Sequence, residues 1–211
     1  MKKMDKKTYE LIKKKHGGWA SWAIWAMPEV WEGAGSRANM DDVSFFEDDQ
    51  ILTKLNPNIV LVALNFSIDV EDIFEKPFQN FHGGARARDY LIRLMLKDTP
   101  FWGAYMTDII KRTPAKKSEK AMEIWKNDSK LRSFCIETFK QELKDIGAVD
   151  PYIVCLGTDV YKILKEHLPS NYTIAKPYSY HYSAWHIKDE KHIERMQEVI
   201  ENYERSKEFV K

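Results

Sequence analysis

The sequence predicts an α/β protein, a three-layer α/β/α sandwich around a central, mainly parallel sheet of four strands. Short apolar runs rich in β-branched residues, typical of buried parallel strands, alternate with longer segments whose apolar residues recur at helical spacing. The length of 211 residues suits one domain that can bury its own core. We therefore expect a single domain over residues 1–211, in which residues 1–50 form a Trp-rich extension that packs on the rest.

The N-terminal extension contains a basic, an aromatic and an acidic segment. Residues 2–15 hold seven lysines against two acidic residues, a net charge of +5, and are compatible with a short helix. The spacing of Trp19, Trp22 and Trp25 would place three indoles along one side of a helix, where core packing is their expected role. An acidic patch within residues 41–49 could offset the basic segment.

Strands and helices alternate regularly after residue 50. The first predicted strand is a continuous apolar run, IVLVAL, and a long loop separates it from the next helix. One helix has a clear apolar face and ends before Gly147. The predicted elements are strand 59–64, helix 86–97, strand 101–110, helix 129–146, strand 152–156, helix 158–164, strand 173–176 and helix 191–207.

Composition narrows the class of protein. The 33 basic and 32 acidic residues give a net charge of +1, so bulk charge gives no reason to expect affinity for nucleic acid or membranes. The two cysteines have no partner at metal-ligand spacing, which argues against a zinc ribbon, an iron–sulfur cluster or a disulfide scaffold. Apolar runs fall far short of the roughly 18–20 residues that span a bilayer. We expect a soluble, unprocessed, cytoplasmic protein without a metal or other cofactor.

Polar residues follow the predicted strands at the places where an α/β sheet binds its ligands. These places are Asn65, the pair Thr107-Asp108, Gly157 and the tripeptide His181-Tyr182-Ser183. An asparagine can orient a water without titrating, and a histidine can donate a hydrogen bond to a developing negative charge. The sequence lacks the nucleophile elbow of acyl hydrolases, the glycine-rich phosphate loop and the HExxH motif of zinc proteases.

At these residues the chain resembles the uracil-DNA glycosylase superfamily, over roughly residues 50–188 and nearest to its mismatch-specific and thermophilic branches. Three segments look like strand motifs of that family: residues 59–67 (IVLVALNFS), 104–114 (AYMTDIIKRTP) and 151–164 (PYIVCLGTDVYKIL). Residues 78–91 (FQNFHGGARARDYL) look like its aromatic segment that leads into a helix, and residues 181–183 stand where its last motif lies. Two cysteines cannot supply the four-cysteine iron–sulfur site of some branches.

The resemblance implies a role for each matching residue. Asn65 would position the attacking water, and His181 would stabilise negative charge on the departing base. Asp108 stands in place of an asparagine that reads the base, and an ionised carboxylate cannot donate to a carbonyl, so ordinary uracil specificity is not expected. The residues implied in base binding are Phe66, Phe78, Phe81, Asp108 and Ser183, and those implied in binding the DNA backbone are Arg86, Arg88, Lys111, Arg112, Lys116 and Lys117.

The function expected from the resemblance is a DNA glycosylase that hydrolyses the N-glycosidic bond of a flipped, damaged or deaminated base, with DNA as its partner. Two alternatives stay open. The turn at residues 65–67 differs from that of the family, whose glycine and proline around the water-positioning residue are replaced here by Ala63 and by Phe66-Ser67. This difference is compatible with a catalytically inactive relative that binds nucleic acid or a protein. The near-neutral net charge is compatible with an enzyme that acts on a free nucleoside. The sequence does not specify the base or the oligomeric state.

Overall fold

The computed structural model describes residues 4–31, 33–65, 76–84, 87–111, 113, 115 and 117–208. These residues form five strands, six α-helices and three short 3₁₀ helices. The strands are β1 (Ala20–Trp22), β2 (Asn56–Asn65), β3 (Ala104–Ile110), β4 (Tyr152–Cys155) and β5 (Thr173–Ile174). The α-helices are α1 (Lys6–His16), α2 (Asp89–Leu96), α3 (Ser118–Asn127), α4 (Ser129–Asp145), α5 (Thr158–His167) and α6 (Asp189–Glu208). The 3₁₀ helices are Gly33–Arg37, Ser44–Glu47 and Asp49–Thr53.

The strands form one sheet in the order β1-β3-β2-β4-β5. Strand β2 runs parallel to β3 and β4, and β5 runs parallel to β4. The carboxyl ends of β2, β3 and β4 therefore lie at the same edge of the sheet, which we call the carboxyl edge. The predicted α/β class with a mainly parallel sheet is confirmed, but the prediction of four strands is wrong because the described residues form a sheet of five.

The additional strand comes from the Trp-rich segment, for which the indole spacing had suggested a helix. Strand β1 pairs antiparallel with β3, and Trp22 lies opposite Tyr105. The Trp22 side chain is fully buried, with its ring centroid 5.1 Å from that of Tyr105. The outer edge of β3 carries backbone groups that need hydrogen-bond partners, and an extended β1 supplies them. The expected core packing is confirmed for Trp22 and Trp25, which are both buried.

The sheet separates two apolar cores. Along β2, Val60 and Val62 face a core built with α1, α3, α4 and α5, whereas Leu61 and Ala63 face a core built with α2 and α6. We call the second side the α2–α6 face. Alternate side chains of a strand point to opposite faces, so a continuous apolar run is needed to fill both cores. The arrangement is consistent with the expected three-layer sandwich.

The basic N-terminal helix and the acidic patch meet on the surface, as expected. Lys6 Nζ lies 2.7 Å from Asp49 Oδ2, and Lys13 Nζ lies 2.7 Å from Glu47 Oε2. Exposed pairs of this kind stabilise a fold by about 1 kcal/mol or less. None of the helices within the described ranges combines the length and the apolar character required to cross a bilayer.

Candidate active site

A cleft of about 820 Å³ opens at the carboxyl edge. Its walls are the end of β2, the residues leading into α3, the start of α5 and the segment that follows Tyr180. Three of the predicted site residues, Asn65, His181 and Ser183, line this cleft. The structure thus brings together residues from distant parts of the sequence at the edge where parallel strands end.

Asn65 is the last residue of β2 and is partly buried. Its Nδ2 donates to the backbone oxygen of Ala115 at 2.9 Å. Only the nitrogen of the amide can donate to a carbonyl, so this contact fixes which way the amide is turned. Its Oδ1 is then the amide atom that could accept a hydrogen bond from a water in the cleft, and an amide orients a water in this way without titrating.

The ring of His181 is uncharged at neutral pH, and its contacts with Ser183 define its tautomer. The backbone N–H of Ser183 donates to His181 Nδ1 at 3.3 Å, and Ser183 Oγ lies 2.7 Å from the same atom. Because Nδ1 accepts, the proton of the neutral ring resides on Nε2. Burial, assisted by the neighbouring charge of His192, lowers the pKa of His181 to about 4. At neutral pH the ring is therefore a hydrogen-bond donor through Nε2 that needs no prior protonation.

Gly157 closes the cleft between β4 and α5. It adopts a positive φ of 112°, which a side chain would strain, and its N–H donates to the Ser179 carbonyl at 2.9 Å. Its Cα lies against His181, since a Cβ built on it would sit 3.5 Å from the His181 Cβ. This glycine shapes the wall beside the histidine, and its amide is already engaged.

The two predicted stacking rings are buried in the cores, away from the cleft lining. Phe78 is fully buried, with ring centroids 5.2 Å from Phe46 and 5.7 Å from Tyr9. Phe81 is 4% exposed, and its carbonyl accepts a hydrogen bond from Trp25 Nε1 at 3.0 Å. The structure places neither ring where a base could stack on it, because burial within the protein already covers their faces.

Asp108 is also buried, on the α2–α6 face below the carboxyl edge. Its side chain is 1% exposed, and its Oδ2 accepts from Asn80 Nδ2 at 2.7 Å. Asn80 Nδ2 also donates to the Trp19 carbonyl at 2.7 Å, which ties the loop of residues 76–84 to the start of β1. Burial raises the pKa of Asp108 to about 7, although the hydrogen bond from Asn80 acts in the opposite direction. Asp108 is not among the residues that line the cleft.

The predicted DNA-backbone residues are scattered. Lys111 is fully buried and donates to Glu142 Oε2 at 2.7 Å. Its assignment as a phosphate contact is therefore wrong, because the buried Glu142 of α4 requires it as a counter-ion. Arg88 forms an ion pair with Asp189. Lys117 is exposed and lines the cleft. The candidates that lie outside the described residues are Phe66, Arg86, Arg112 and Lys116.

The structure adds a residue that sequence patterns did not indicate. Trp185 lines the cleft and is 85% exposed, although indoles usually bury most of their surface. His186, next to it, is exposed in the same wall, and Glu119 and Asp159 contribute acidic side chains to the cleft. No periodicity distinguishes Trp185 from the buried tryptophans, so only its position in the fold identifies it. Among the described residues no group of three or more His, Cys, Asp or Glu side chains could hold a metal ion.

Comparison of the chain with protein-family models, with curated proteins and with solved structures finds no match. The chemistry of the cleft must therefore be inferred from its geometry. An oriented amide and a neutral imidazole donor line the same cavity, which can admit a water and an organic ring.

Proposed function

We propose that the cleft hydrolyses the N-glycosidic bond of a damaged or deaminated base that has been flipped out of DNA. The observation that carries the proposal is the joint presence of Asn65 and His181 in one cleft at the carboxyl edge. Hydrolysis of this bond needs a held water and a group that stabilises the electrons passing to the base, and these two side chains can supply both. The resemblance to the uracil-DNA glycosylase superfamily points in the same direction.

In the proposed reaction, the bond between the anomeric carbon and the base nitrogen breaks first, toward an oxocarbenium-like sugar. The electron pair moves to the base, where the Nε2–H of His181 donates a hydrogen bond to the growing negative charge. A water held by Asn65 adds its oxygen to the anomeric carbon, and the proton that it releases is taken up by the base or the solvent. No covalent intermediate with the protein is required.

Trp185 supports the use of a flipped nucleotide. Extrusion of a base from a duplex costs a few kcal/mol, and an aromatic side chain that stacks on a base recovers about 1–3 kcal/mol. An indole that is 85% exposed at the cleft is free of the cores that bury Phe78 and Phe81. Trp185 therefore takes the place of those two rings in the proposal, either on the flipped base or in the gap that it leaves.

The proposal is tested by incubating the protein with labelled single- and double-stranded oligonucleotides that carry uracil, hypoxanthine, xanthine or a thymine mismatch. Abasic sites are then scored for the wild type and for Asn65→Ala, His181→Ala and His186→Ala. His186 is the matched control, because it is an exposed histidine in the same cleft. We expect release by the wild type and His186→Ala, and loss of at least about 100-fold in the other two variants, whose folding is checked by circular dichroism.

Release that survives in Asn65→Ala or His181→Ala would contradict the proposed roles. Oligonucleotide binding without release from any substrate would favour the catalytically inactive alternative. Loss of release in His186→Ala as well would mean that the assay reports damage to the cleft as a whole.

A second candidate, an enzyme that cleaves a free nucleoside, is favoured by the distribution of charge. Of the predicted backbone contacts, Lys111 is buried and Arg88 is paired with Asp189, while Glu119 and Asp159 would repel a polyanion. Binding of DNA through phosphates weakens steeply with added salt, whereas binding of a neutral nucleoside does not. Turnover of free nucleosides that is unchanged between low and high salt would therefore select this candidate over DNA.

A further inference from the structure

Tyr182 lies between His181 and Ser183 in the sequence and is not used by the proposed reaction. Its ring stacks on that of His181, with centroids 4.7 Å apart and planes inclined by 19°. The ring is only partly buried, and it packs against the core of the α2–α6 face. His181 is thus covered on one face by a side chain that is itself anchored in the protein interior.

The hydroxyl end of Tyr182 lies beside the start of α2. Burial and the nearby carboxyl group of Asp89, the first residue of α2 and itself 7% exposed, raise the pKa of this hydroxyl group. Asp89 Oδ2 accepts the backbone N–H of Gly83 at 2.7 Å. A Cβ on Gly83 would approach that oxygen to 2.8 Å, so the close contact requires glycine. The Tyr182 ring therefore lies between the imidazole, on which it stacks, and the start of α2, where the Asp89 carboxyl group is fixed by Gly83.

We propose that Tyr182 is a positioning residue for His181, whose ring plane it fixes by stacking. Ser183 contacts the imidazole at Nδ1, beside its covalent attachment at Cγ, and this contact alone allows the Nε2 side of the ring to tilt. A second contact on the face of the ring removes that freedom and keeps Nε2–H in one direction. The proposal rests on the function proposed for His181 as a donor to the departing base.

The expected size of the effect follows from the strength of aromatic pairs. Such pairs contribute about 0.5–1.5 kcal/mol beyond burial, which corresponds to a change of about 2-fold to 10-fold in the population of the held orientation. We expect Tyr182→Leu to lower kcat by about that factor and to change KM by less than about 2-fold, because Tyr182 is not among the residues that line the cleft. Tyr182→Phe keeps the ring and should retain most of the wild-type kcat.

Nuclear magnetic resonance of the histidine ring tests the proposal without any substrate. Histidines are labelled with ¹³C and ¹⁵N, and the His181 signals are identified by their loss in His181→Ala. In the wild type, the Tyr182 ring should displace the His181 ring-proton resonances by its ring current. In Tyr182→Leu this displacement should disappear, and the pKa of His181 should rise from about 4 toward its ordinary value of 6.5 as water reaches the ring. Tyr182→Phe should preserve both features.

The matched control is Tyr180→Leu, because Tyr180 is a neighbouring, partly buried tyrosine whose ring contacts His192 edge-on instead of stacking on His181. It should leave the His181 signals in place. If Tyr182→Leu does not fold, Tyr182→Met also removes the aromatic ring with a longer apolar side chain and should give the same result for the His181 resonances.

His181 signals and titration that are the same in the wild type and in the folded Tyr182→Leu or Tyr182→Met variant would overturn the proposal. So would an unchanged kcat in Tyr182→Leu, if the wild type releases a base. If the wild type releases no base from any substrate, the proposed function fails, while the resonance data still decide whether Tyr182 holds the imidazole.

Discussion

The buried carboxyl group of Asp108 should make the stability of this protein depend on pH in a predictable direction. Burial raises the pKa of Asp108 from 3.8 to about 7 in the folded state. The folded protein therefore keeps a proton on Asp108 that the unfolded chain loses, and this contribution to stability is complete below about pH 4 and is lost as the pH rises through 7. At 1.36 kcal/mol per pH unit, the difference amounts to about 4 kcal/mol at neutral pH and about 2 kcal/mol at pH 5.

Asp108→Asn removes the titration and keeps an amide oxygen that can accept from Asn80 Nδ2. We expect the variant to unfold at higher urea concentration than the wild type near pH 8, with an advantage of up to about 4 kcal/mol that shrinks toward zero near pH 4. Urea unfolding at several pH values measures this difference, and the exposed Asp41→Asn variant serves as the control. A difference between wild type and Asp108→Asn that is the same at every pH would refute the reasoning.

Three further predictions concern single side chains. Lys111→Met should lower the free energy of unfolding by about 3–5 kcal/mol, because it removes the counter-ion of the buried Glu142; the double variant Lys111→Met/Glu142→Gln, which keeps an oxygen that accepts from Trp19, Tyr105 and Thr107, should recover part of the loss in the same urea titration. Gly103→Ala should lower the melting temperature, since Gly103 has a φ of 87° and an added Cβ would overlap the Lys54 carbonyl oxygen; a melting temperature equal to that of the wild type would contradict this. Trp185→Ala should change stability by less than about 0.5 kcal/mol but weaken oligonucleotide binding, measured by fluorescence anisotropy, by about 5-fold or more; unchanged binding would remove the indole from the interface.

The parts of the fold that sequence patterns predicted are those that depend on local order. The continuous apolar run of β2 and the helical spacing of α4 are visible because each pattern is complete within the length of its own element. The convergence of Asn65 and His181 follows from parallel strands, whose carboxyl ends share an edge whatever the intervening chain does. Their catalytic roles stay predictions.

The parts that sequence patterns missed depend on partners far away in the chain. Strand β1 exists because β3 offers it an edge, and the burial of Lys111 depends on Glu142. Helix α3 lies between the predicted strand 101–110 and the predicted helix 129–146, where no element was predicted, because only two of its residues, Ala121 and Trp125, are buried. A local sequence pattern cannot reveal such contacts, because they depend on residues that are distant in the sequence.

The order and length of the strands also affect how the sheet meets other molecules. The outermost strands are its shortest, with three residues in β1 and two in β5, whereas the long strands β2 and β3 lie inside. A strand at the edge of a sheet is a template on which another chain can add by backbone hydrogen bonding, and very short edge strands limit that template. The sheet therefore presents few backbone groups for the addition of a sixth strand, a geometry that disfavours edge-to-edge aggregation.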